Sequence, residues 1–342
     1  MVVMDFREFL KLANEETNRI IFDYLPKGHE VEELDLLYRM MRDYPSRPKK
    51  GLRAALCLLS AKALSGDYRR ALVTASAIEL FQSWVLIHDD IEDESELRRG
   101  SPTLHRLYNV PLALNAGDAL HSKMWGLLLK NKDILGCEMA VRILEEFSKM
   151  VDRTAEGQHI ELGWIAKDRW DLSEEDYFRM ASLKSAYYTC TAPMRMGSMI
   201  GGMDLERLEQ IDEMGRPLGI AFQIQDDVLN LIGGKKYGKE GKDDILEGKR
   251  TLILIRLLEV AKERDRIIEL VSKPRRSKTR EDVEYVFRKM VEYGAIDYAR
   301  RVARRLYEEA IEKFDLVFED VKDEEARECL RDLFRYLIER SW

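Results

Sequence analysis

The sequence predicts an all-α fold, a single large helical bundle formed by residues 1–342. Apolar residues recur at intervals of three and four almost throughout the chain, and convincing alternating strand patterns are missing. Several of the periodic segments are apolar on all sides, which is typical of helices buried at the centre of a bundle. No internal repeat of about 20–50 residues is apparent, which argues against a solenoid.

The periodicity places the helices in order along the chain. The first eight are expected at residues 4–24, 30–43, 51–65, 68–96, 112–130, 134–166, 174–200 and 204–232. The second of these is expected to end before Pro45, and a polar corner is expected at Arg98–Pro102. Gly233–Gly248 is rich in Gly and Lys, which predicts a loop or a broken helix. Three or four more helices are expected within 250–341, with an exposed joint at Lys273–Ser277.

Composition indicates a protein with a large core and excludes one functional class. Hydrophobic residues make up 45% of the chain, and the net charge of −7 argues against a general nucleic-acid binder, which normally carries a basic surplus. Charged residues reach 35%, against about 25% in ordinary domains, while Asn and Gln number only 6 and 5. This balance predicts a heat-adapted protein, because ion pairs cost less to desolvate at high temperature.

The cysteines and the N-terminus indicate a soluble cytoplasmic protein. Cys57, Cys137, Cys190 and Cys329 are scattered without a CxxC pair, as expected for thiols in a reducing cytosol. The N-terminus lacks a basic region followed by an apolar run, so no signal peptide is expected. No stretch of about 18 apolar residues occurs, so no membrane span is expected.

The strongest local signal is an acidic turn at the end of an apolar helix, Leu86-Ile87-His88-Asp89-Asp90-Ile91-Glu92-Asp93. Asp89 and Asp93 are four residues apart and therefore present two carboxylates on one helix face, with Asp90 close by. Hard oxygen ligands of this kind suit Mg²⁺, which completes its shell with water and substrate phosphates. Taken alone, such a turn is more often a solvated helix end.

A second acidic turn favours a metal site over a solvated helix end. Asp226 and Asp227 end another apolar segment, Phe222-Gln223-Ile224-Gln225-Asp226-Asp227-Val228-Leu229-Asn230, and Asn230 supplies one more oxygen four residues after Asp226. Two such turns can face each other across a bundle core, where their carboxylates repel unless cations lie between them. Divalent ions that bridge a diphosphate would resolve this repulsion.

Basic residues complete the predicted charge balance. Arg98 and Arg99 follow the first acidic turn, and Lys50 and Arg53 are three residues apart on one helix face. Lys184, Lys239 and Lys249 belong to the second half of the predicted site. Guanidinium groups bind phosphate oxygens in a bidentate manner, whereas lysine acts as a point charge. Any one of these cations alone is better explained as a surface residue, and the argument depends on their joint positions.

These motifs, in this order, resemble the trans-isoprenyl diphosphate synthase family, which includes the farnesyl and geranylgeranyl diphosphate synthases. The DDxxD motif of the family matches Asp89–Asp93, and its FQxxDDxxD motif matches Phe222–Asn230 with Asn230 in place of the last Asp. The family's paired GK motifs match Gly238-Lys239 and Gly248-Lys249, and a basic-hydroxyl pair matches Lys184-Ser185. The chain departs from the GGKRxRP motif, because Lys49–Ala54 keeps only the Lys-x-x-Arg spacing.

The resemblance implies a fold, a reaction and a set of residue roles. It implies an isoprenoid-synthase bundle of the short-chain, archaeal type with a central apolar cavity, and it implies assembly as a homodimer. The implied reaction joins isopentenyl diphosphate to dimethylallyl, geranyl or farnesyl diphosphate with two or three Mg²⁺ ions. Magnesium would be held by Asp89, Asp93 and Asp226, and the further catalytic residues would be Asp90, Asp227 and Lys184. The allylic diphosphate would be bound by Arg98, Lys184, Ser185, Gln223, Lys239 and Lys249. Isopentenyl diphosphate would be bound by Lys50, Arg53, Gln82 and Arg99.

The helix before the first acidic turn also predicts a pocket for the hydrocarbon tail. Phe81 and Val85 lie on the helix face of Asp89, and Trp84 lies beside that face. Five residues of helix rise about 7–8 Å, so we expect Phe81 and Trp84 to close the pocket and limit products to C15–C20. The alternative is that both rings only pack against neighbouring helices.

Three other functions fit parts of the pattern. Terpene cyclases share one acidic turn, but they generally lack the second motif and need no isopentenyl site, so Lys50, Arg53 and Arg99 count against them. A non-catalytic partner subunit would be expected to lose acidic residues, and both turns are intact. A purely structural acidic bundle does not explain the ordered cations. The product, C15 or C20, and the preferred primer stay open.

Overall fold

A computed structural model describes residues 5–233 and 242–339, and in these ranges the chain is helical almost throughout. The first half contains α1 (Phe6–Tyr24), α2 (Glu32–Ser46), α3 (Leu52–Ser65), α4 (Leu72–Glu92), α5 (Leu104–Leu107), α6 (Val110–Leu128), α7 (Asn131–Leu135) and α8 (Cys137–Ala166). The second half contains α9 (Glu174–Ala181), a π-helical segment (Ser182–Thr191), α10 (Ala192–Gly201), α11 (Leu208–Ile232), α12 (Asp243–Glu247), α13 (Leu252–Val260), α14 (Arg264–Val271), α15 (Arg280–Glu292), α16 (Ala295–Val317) and α17 (Glu324–Ile338). The all-α prediction is confirmed.

Some predicted boundaries were wrong. Helix α2 continues through Pro45 to Ser46, because a proline in the last turn removes one backbone donor without interrupting the turns before it. Between residues 250 and 339 the structure contains five α-helices, α13 to α17, where three or four were predicted. The corner at Arg98–Pro102 is a two-stranded antiparallel ribbon, β1 (Leu97–Arg98) and β2 (Ser101–Pro102), too short to leave an alternating pattern.

The described chain divides into two compact units. The first comprises Met1–Lys149, Ala192–Ile211 and Asp315–Leu333, and the second comprises Met150–Thr191, Asp212–Phe314 and Phe334–Trp342. Four of their boundaries fall inside α8, α11, α16 and α17, and the fifth lies between the π-helical segment and α10. That the whole chain is one domain stays a prediction.

Helices α3 and α4 form the core of the first unit. Nearly every residue of α3 is buried, and α3 packs closely on α10, where a Cβ atom added to Gly197 would lie 2.1 Å from the Cys57 carbonyl oxygen. The segment Arg69–Glu92, which includes α4, is long and apolar enough to cross a membrane by length and composition alone, and 67% of its most apolar stretch is buried inside the protein. The stretch is not continuously apolar, because Glu79, Gln82 and Ser83 interrupt it.

The core of the second unit is built by α11, α13 and α15. Ile220, Ile224 and Val228 recur along one side of α11 and are at most 3% exposed. They belong to the same apolar cluster as Ile253 and Leu257 of α13, which are fully buried. Because α11 buries this side, the acidic residues at its C-terminal end are held on a rigid helix.

Candidate active site

The first acidic turn closes α4. Asp89 is half-buried, and Asp93 directly follows the last residue of the helix. The Asp93 backbone N–H donates to the Asp89 carbonyl oxygen over 2.9 Å. This bond keeps the two residues one helical turn apart, as the spacing predicted. Asp90, which follows Asp89 in the sequence, is fully buried.

Asp90 is held by one neutral donor and one charged donor. The Tyr44 hydroxyl donates to Asp90 Oδ2 over 2.5 Å, and Arg98 donates to Asp90 Oδ1 from Nε over 2.9 Å and from Nη2 over 2.5 Å. Arg98 Nη2 also lies 3.3 Å from Asp89 Oδ2. Burial alone would lower the pKa of Arg98, but Asp90 and Asp89 outweigh it and raise that pKa. Arg98 is thus a permanent cation placed directly beside the predicted metal ligands.

The ribbon β1–β2 fixes Arg98 and Arg99, and Arg47 holds the ribbon. Arg47 Nη1 donates to the Arg98 carbonyl oxygen over 2.9 Å, and its Nη2 donates to the Pro102 carbonyl oxygen over 2.7 Å. Its guanidinium lies 4.4 Å above the Tyr44 ring, the same tyrosine that bonds Asp90. Tyr44 and Arg47 therefore position the first turn, and neither carries a signal in the sequence beyond its place within two residues of Pro45.

The cations predicted to bind isopentenyl diphosphate surround the N-terminus of α3. Arg53 is in the first turn of this helix and is 8% exposed, and the preceding Gly51 has a φ of 66°, a conformation that favours glycine. Asn14 Nδ2 donates to the Lys49 carbonyl oxygen over 3.1 Å and so fastens this turn to α1. Arg99 Nη1 lies 3.5 Å from the Tyr44 carbonyl oxygen. Burial lowers the pKa of Arg99, and Arg98, Arg53 and Arg47 lower it further against the effect of Glu79.

The second acidic turn lies in the second unit, on α11. Asp226 is exposed, whereas Asp227 is 6% exposed. The Tyr177 hydroxyl donates to Asp227 Oδ2 over 2.8 Å, and Gln223 Nε2 donates to Asp227 Oδ1 over 2.8 Å. Burial, aided by the charges of Glu161 and Asp226, outweighs these two bonds and raises the pKa of Asp227 to about 7.

Lys184 and Ser185 lie in the π-helical segment, a helix distortion that is frequent at functional sites. Lys184 Nζ forms an ion pair with Glu161 of α8. The two elements approach closely because Gly157 has no side chain: an added Cβ atom would lie 2.1 Å from the Lys184 backbone nitrogen. A similar contact joins Gly219 of α11 to Ala186, 2.5 Å from an added Cβ atom. Two glycines thus let three elements meet at the predicted allylic site.

The segment after α11 contributes Lys249. Its Nζ lies 2.9 Å from Glu247 Oε2, and Glu247 Oε1 lies 2.8 Å from Arg275 Nη1. Asn230, predicted as an oxygen ligand, accepts a bond at its side-chain oxygen from the Asp244 backbone N–H over 3.2 Å and so caps α12. Lys239 lies outside the described residues.

The predicted tail-pocket residues belong to an aromatic cluster in the first unit. Phe81 is fully buried, with its ring centroid 5.6 Å from Trp84 and 6.0 Å from Phe147. Trp84 lies against His121 of α6, at 4.2 Å between centroids. Trp84 and Val85 are half-buried. These rings fill the space along the last turns of α4.

The structure thus groups the predicted residues into two sets, one in each unit. That the two acidic turns face each other stays a prediction. Within residues 5–233 and 242–339, no three His, Cys, Asp or Glu side chains meet as a ready-made metal cage. Sequence reasoning missed Tyr44, Arg47, Glu79, Glu161 and Tyr177, because each acts through a contact distant in sequence.

The fold agrees with what comparison with known proteins finds. Residues 34–290 match the polyprenyl synthetase family. A geranylgeranyl pyrophosphate synthase of Geoglobus acetivorans is 34% identical over 100% of both chains, and a geranylfarnesyl diphosphate synthase of Natronomonas pharaonis is 32% identical over 99% of this chain and 100% of its own. The solved structure of a geranylgeranyl pyrophosphate synthetase from Pyrococcus horikoshii has a TM-score of 0.84 and 33% identity, with 98% of each chain covered.

The chain therefore belongs to the polyprenyl synthetase family. The family resemblance read from the two aspartate-rich motifs is confirmed, and so is the class of activity, an isoprenyl diphosphate synthase that transfers prenyl groups.

Proposed function

We propose that this enzyme condenses isopentenyl diphosphate with an allylic diphosphate to give geranylgeranyl diphosphate, with farnesyl diphosphate as the shorter product. The observation that carries the proposal is the shared design of the two acidic turns. Each turn keeps accessible carboxylates, Asp89 and Asp93 or Asp226, next to a buried aspartate that is fixed by hydrogen bonds, Asp90 or Asp227. Fixed carboxylates of this kind suit a metal–diphosphate complex.

The donor set fits Mg²⁺ as the resident ion, at two or three ions per site. Magnesium is usually bound by one or two carboxylates and by substrate phosphates rather than by an all-protein cage. Asp89, Asp93 and Asp226 would hold it, while Asp90 and Asp227 are occupied by protein donors and support their neighbours. When bound, the metal supplies Lewis-acid neutralisation of the leaving diphosphate.

The protein's own residues would orient both substrates and stabilise the departing anion. Lys184, Lys249 and Arg98 would bind the allylic diphosphate, whose C–O electron pair leaves with the diphosphate oxygen. The double bond of isopentenyl diphosphate, held by Lys50, Arg53, Gln82 and Arg99, would then attack the allylic carbon. A proton leaves the new chain, and the released diphosphate is its acceptor.

The aromatic cluster supports a limit on chain length. Trp84 is wedged between the Phe81 ring and the His121 ring, so a growing tail that runs along α4 would meet aromatic side chains about five residues before Asp89. A tail that reaches this depth cannot extend without displacing them. We therefore propose products of C15–C20.

We also propose a homodimer in which a second copy of this chain covers the apolar face of α5 and α6. Five residues of this face, Leu107, Tyr108, Val110, Leu112 and Leu114, are between 41% and 49% exposed. A run of exposed apolar side chains marks an interaction surface. Sedimentation of the purified protein tests this assembly, and a monomer at micromolar concentration would exclude it.

One assay tests the function. The enzyme is incubated with labelled isopentenyl diphosphate and dimethylallyl, geranyl or farnesyl diphosphate, with Mg²⁺ or with a chelator, and the products are separated by chain length. We expect Mg²⁺-dependent C20 and C15 products, and no product from any primer would exclude the proposal. The variant Trp84→Ala should lengthen the product by at least one isoprene unit; an unchanged length would remove Trp84 from the pocket.

A further inference from the structure

A buried carboxylate lies among the cations of the predicted isopentenyl diphosphate site. Glu79 is on α4, three residues before Gln82, and is 1% exposed. Its Oε2 lies 3.1 Å from Lys49 Nζ, and the Lys49 side chain is only 4% exposed. The family motifs assign neither residue a role, since Lys49 lies at a position where GGKRxRP has glycine.

Glu79 is charged in this setting. Burial by itself raises the pKa of its carboxyl group, but the charges of Lys49, Arg53 and Arg99 outweigh burial and hold that pKa below its usual range. Three cations therefore share one buried anion. Two of them, Arg53 and Arg99, are residues predicted to bind the diphosphate.

The cations of this region repel each other. The charges of Arg98, Arg53 and Arg47 act against the charge on Arg99, whereas Glu79 acts in its favour. Arg98 is engaged with Asp90, and Arg47 is engaged with Asp43 over 2.6 Å. Glu79 is thus the buried anion that offsets the repulsion around Arg99.

Lys49 itself is held in place by the backbone around it. Asn14 binds its carbonyl oxygen, and the following Gly51 packs so closely against Asn14 that an added Cβ atom would lie 2.4 Å from Asn14 Oδ1. The turn that carries Lys49 also leads directly into the first turn of α3, where Arg53 lies. The ion pair with Glu79 therefore joins α4 to the start of α3.

We propose that Glu79, paired with Lys49, is a positioning residue for the isopentenyl diphosphate site: the buried carboxylate holds Arg53 and Arg99 together so that both guanidinium groups can bind one diphosphate. The inference rests on the proposed function. It predicts an effect on isopentenyl diphosphate that the allylic substrate does not share, because Lys184 and Lys249, predicted for the allylic diphosphate, are paired with other carboxylates, Glu161 and Glu247.

The test compares Glu79→Gln, Lys49→Met and the double variant with the wild type, with KM for each substrate and the melting temperature as readouts. We expect Glu79→Gln to raise KM for isopentenyl diphosphate by about tenfold or more, the factor for one lost charge-assisted hydrogen bond, and to leave KM for geranyl diphosphate within about twofold. Equal rises for both substrates, or an unchanged KM with a lower melting temperature, would overturn the proposal.

The double variant separates positioning from simple ion pairing, and it also covers the case in which Glu79→Gln does not fold. It leaves neither partner of the pair as an uncompensated buried charge, which is the costly situation. If the pair is only structural, the double variant regains the wild-type KM. If Glu79 positions the arginines, KM for isopentenyl diphosphate stays raised.

Glu146→Gln is the matched control. Glu146 Oε2 lies 2.9 Å from Arg195 Nε in an ion pair of similar burial in the same unit, with side chains 6% and 12% exposed. We expect this variant to lower the melting temperature without changing either KM. Failure of the proposed function would give a different result, because wild-type enzyme would then make no prenyl product, whatever the variants do.

Calorimetric titration of wild type and Glu79→Gln with isopentenyl diphosphate and Mg²⁺ gives the binding readout without turnover, and equal affinity would also overturn the inference.

Discussion

The two acidic turns carry the same Asp-Asp pair at the end of an apolar helix, yet their buried members have different partners. Asp90 receives hydrogen bonds from Tyr44 and from the guanidinium of Arg98. Asp227 receives its bonds from two neutral donors, Tyr177 and Gln223. The first buried carboxylate thus has a cation in contact, while the second has its pKa raised to about 7 by burial and by nearby carboxylates.

The protein itself supplies the cation that balances the buried aspartate of the first turn, and we predict that the second turn depends on added cations instead. At the first turn, Arg98 also reaches Asp89. At the second turn, the nearby lysine, Lys184, is already paired with Glu161. We therefore expect the second turn to respond more strongly to pH and metal, and the following predictions test this comparison.

The largest effect should come from the first aspartate of each turn, Asp89 or Asp226. At these two positions we expect the turns to behave alike. Asp89→Asn and Asp226→Asn should each lower kcat by roughly 10³-fold, since each removes a proposed metal ligand and with it several kcal/mol of charge stabilisation. Steady-state turnover at saturating Mg²⁺ measures this. Asp133→Asn, an exposed residue of α7, is the control. If either variant keeps a tenth of the wild-type kcat, the two aspartates do not share the role of a metal ligand.

The next prediction uses two glycines to distinguish a change in stability from a change in turnover. Gly157→Ala and Gly197→Ala each place a Cβ atom 2.1 Å from a backbone atom, of Lys184 and of Cys57 respectively. Both should destabilise the protein by about 1–3 kcal/mol through overpacking, as measured by urea unfolding. Only Gly157→Ala should also lower turnover at permissive temperature, because it displaces Lys184.

Gly163→Ala is the control for this pair, since nothing lies within 4 Å of its added Cβ atom on the same helix, α8. We expect it to be neutral or to stabilise the protein by up to about 1 kcal/mol, because alanine is the better helix former. Equal turnover in the Gly157 and Gly197 variants would contradict a special role for the contact at Lys184.

A smaller effect comes from the matched tyrosines. Tyr44→Phe and Tyr177→Phe each remove one buried hydroxyl donor from a carboxylate. Tyr177→Phe should lower the free energy of unfolding by about 2 kcal/mol and Tyr44→Phe by about 1 kcal/mol, since Arg98 continues to bind Asp90. Urea unfolding at pH 8 with chelator measures both. The reverse ranking would mean that Arg98 does not compensate Asp90.

Much of the fold and part of the site could be predicted from the sequence. The helical period of the apolar residues predicted the helices, and the two motifs predicted Asp89 and Asp226 as candidate site residues, because each motif is local in the sequence. The partners of the buried aspartates could not be predicted, since Tyr44 is 46 residues from Asp90 and Tyr177 is 50 from Asp227. The ribbon at Leu97–Pro102 was missed for a similar reason, because it depends on Arg47 rather than on strand propensity.

The finest test of the comparison is the pH dependence of the metal-free protein. Burial raises the pKa of Asp227 from the ordinary aspartate value of about 3.9 to about 7. Between about pH 4 and pH 7 the folded state therefore binds more protons at this group than the unfolded state. The contribution of Asp227 to stability is therefore full below about pH 4 and is lost as the pH rises through about 7. Asp227→Asn should remove this decline, measured as the difference between the urea midpoints of variant and wild type across that range, with chelator present. Parallel curves for wild type and Asp227→Asn would show that Asp227 is ionised throughout, and the electrostatic contrast between the two turns would fall.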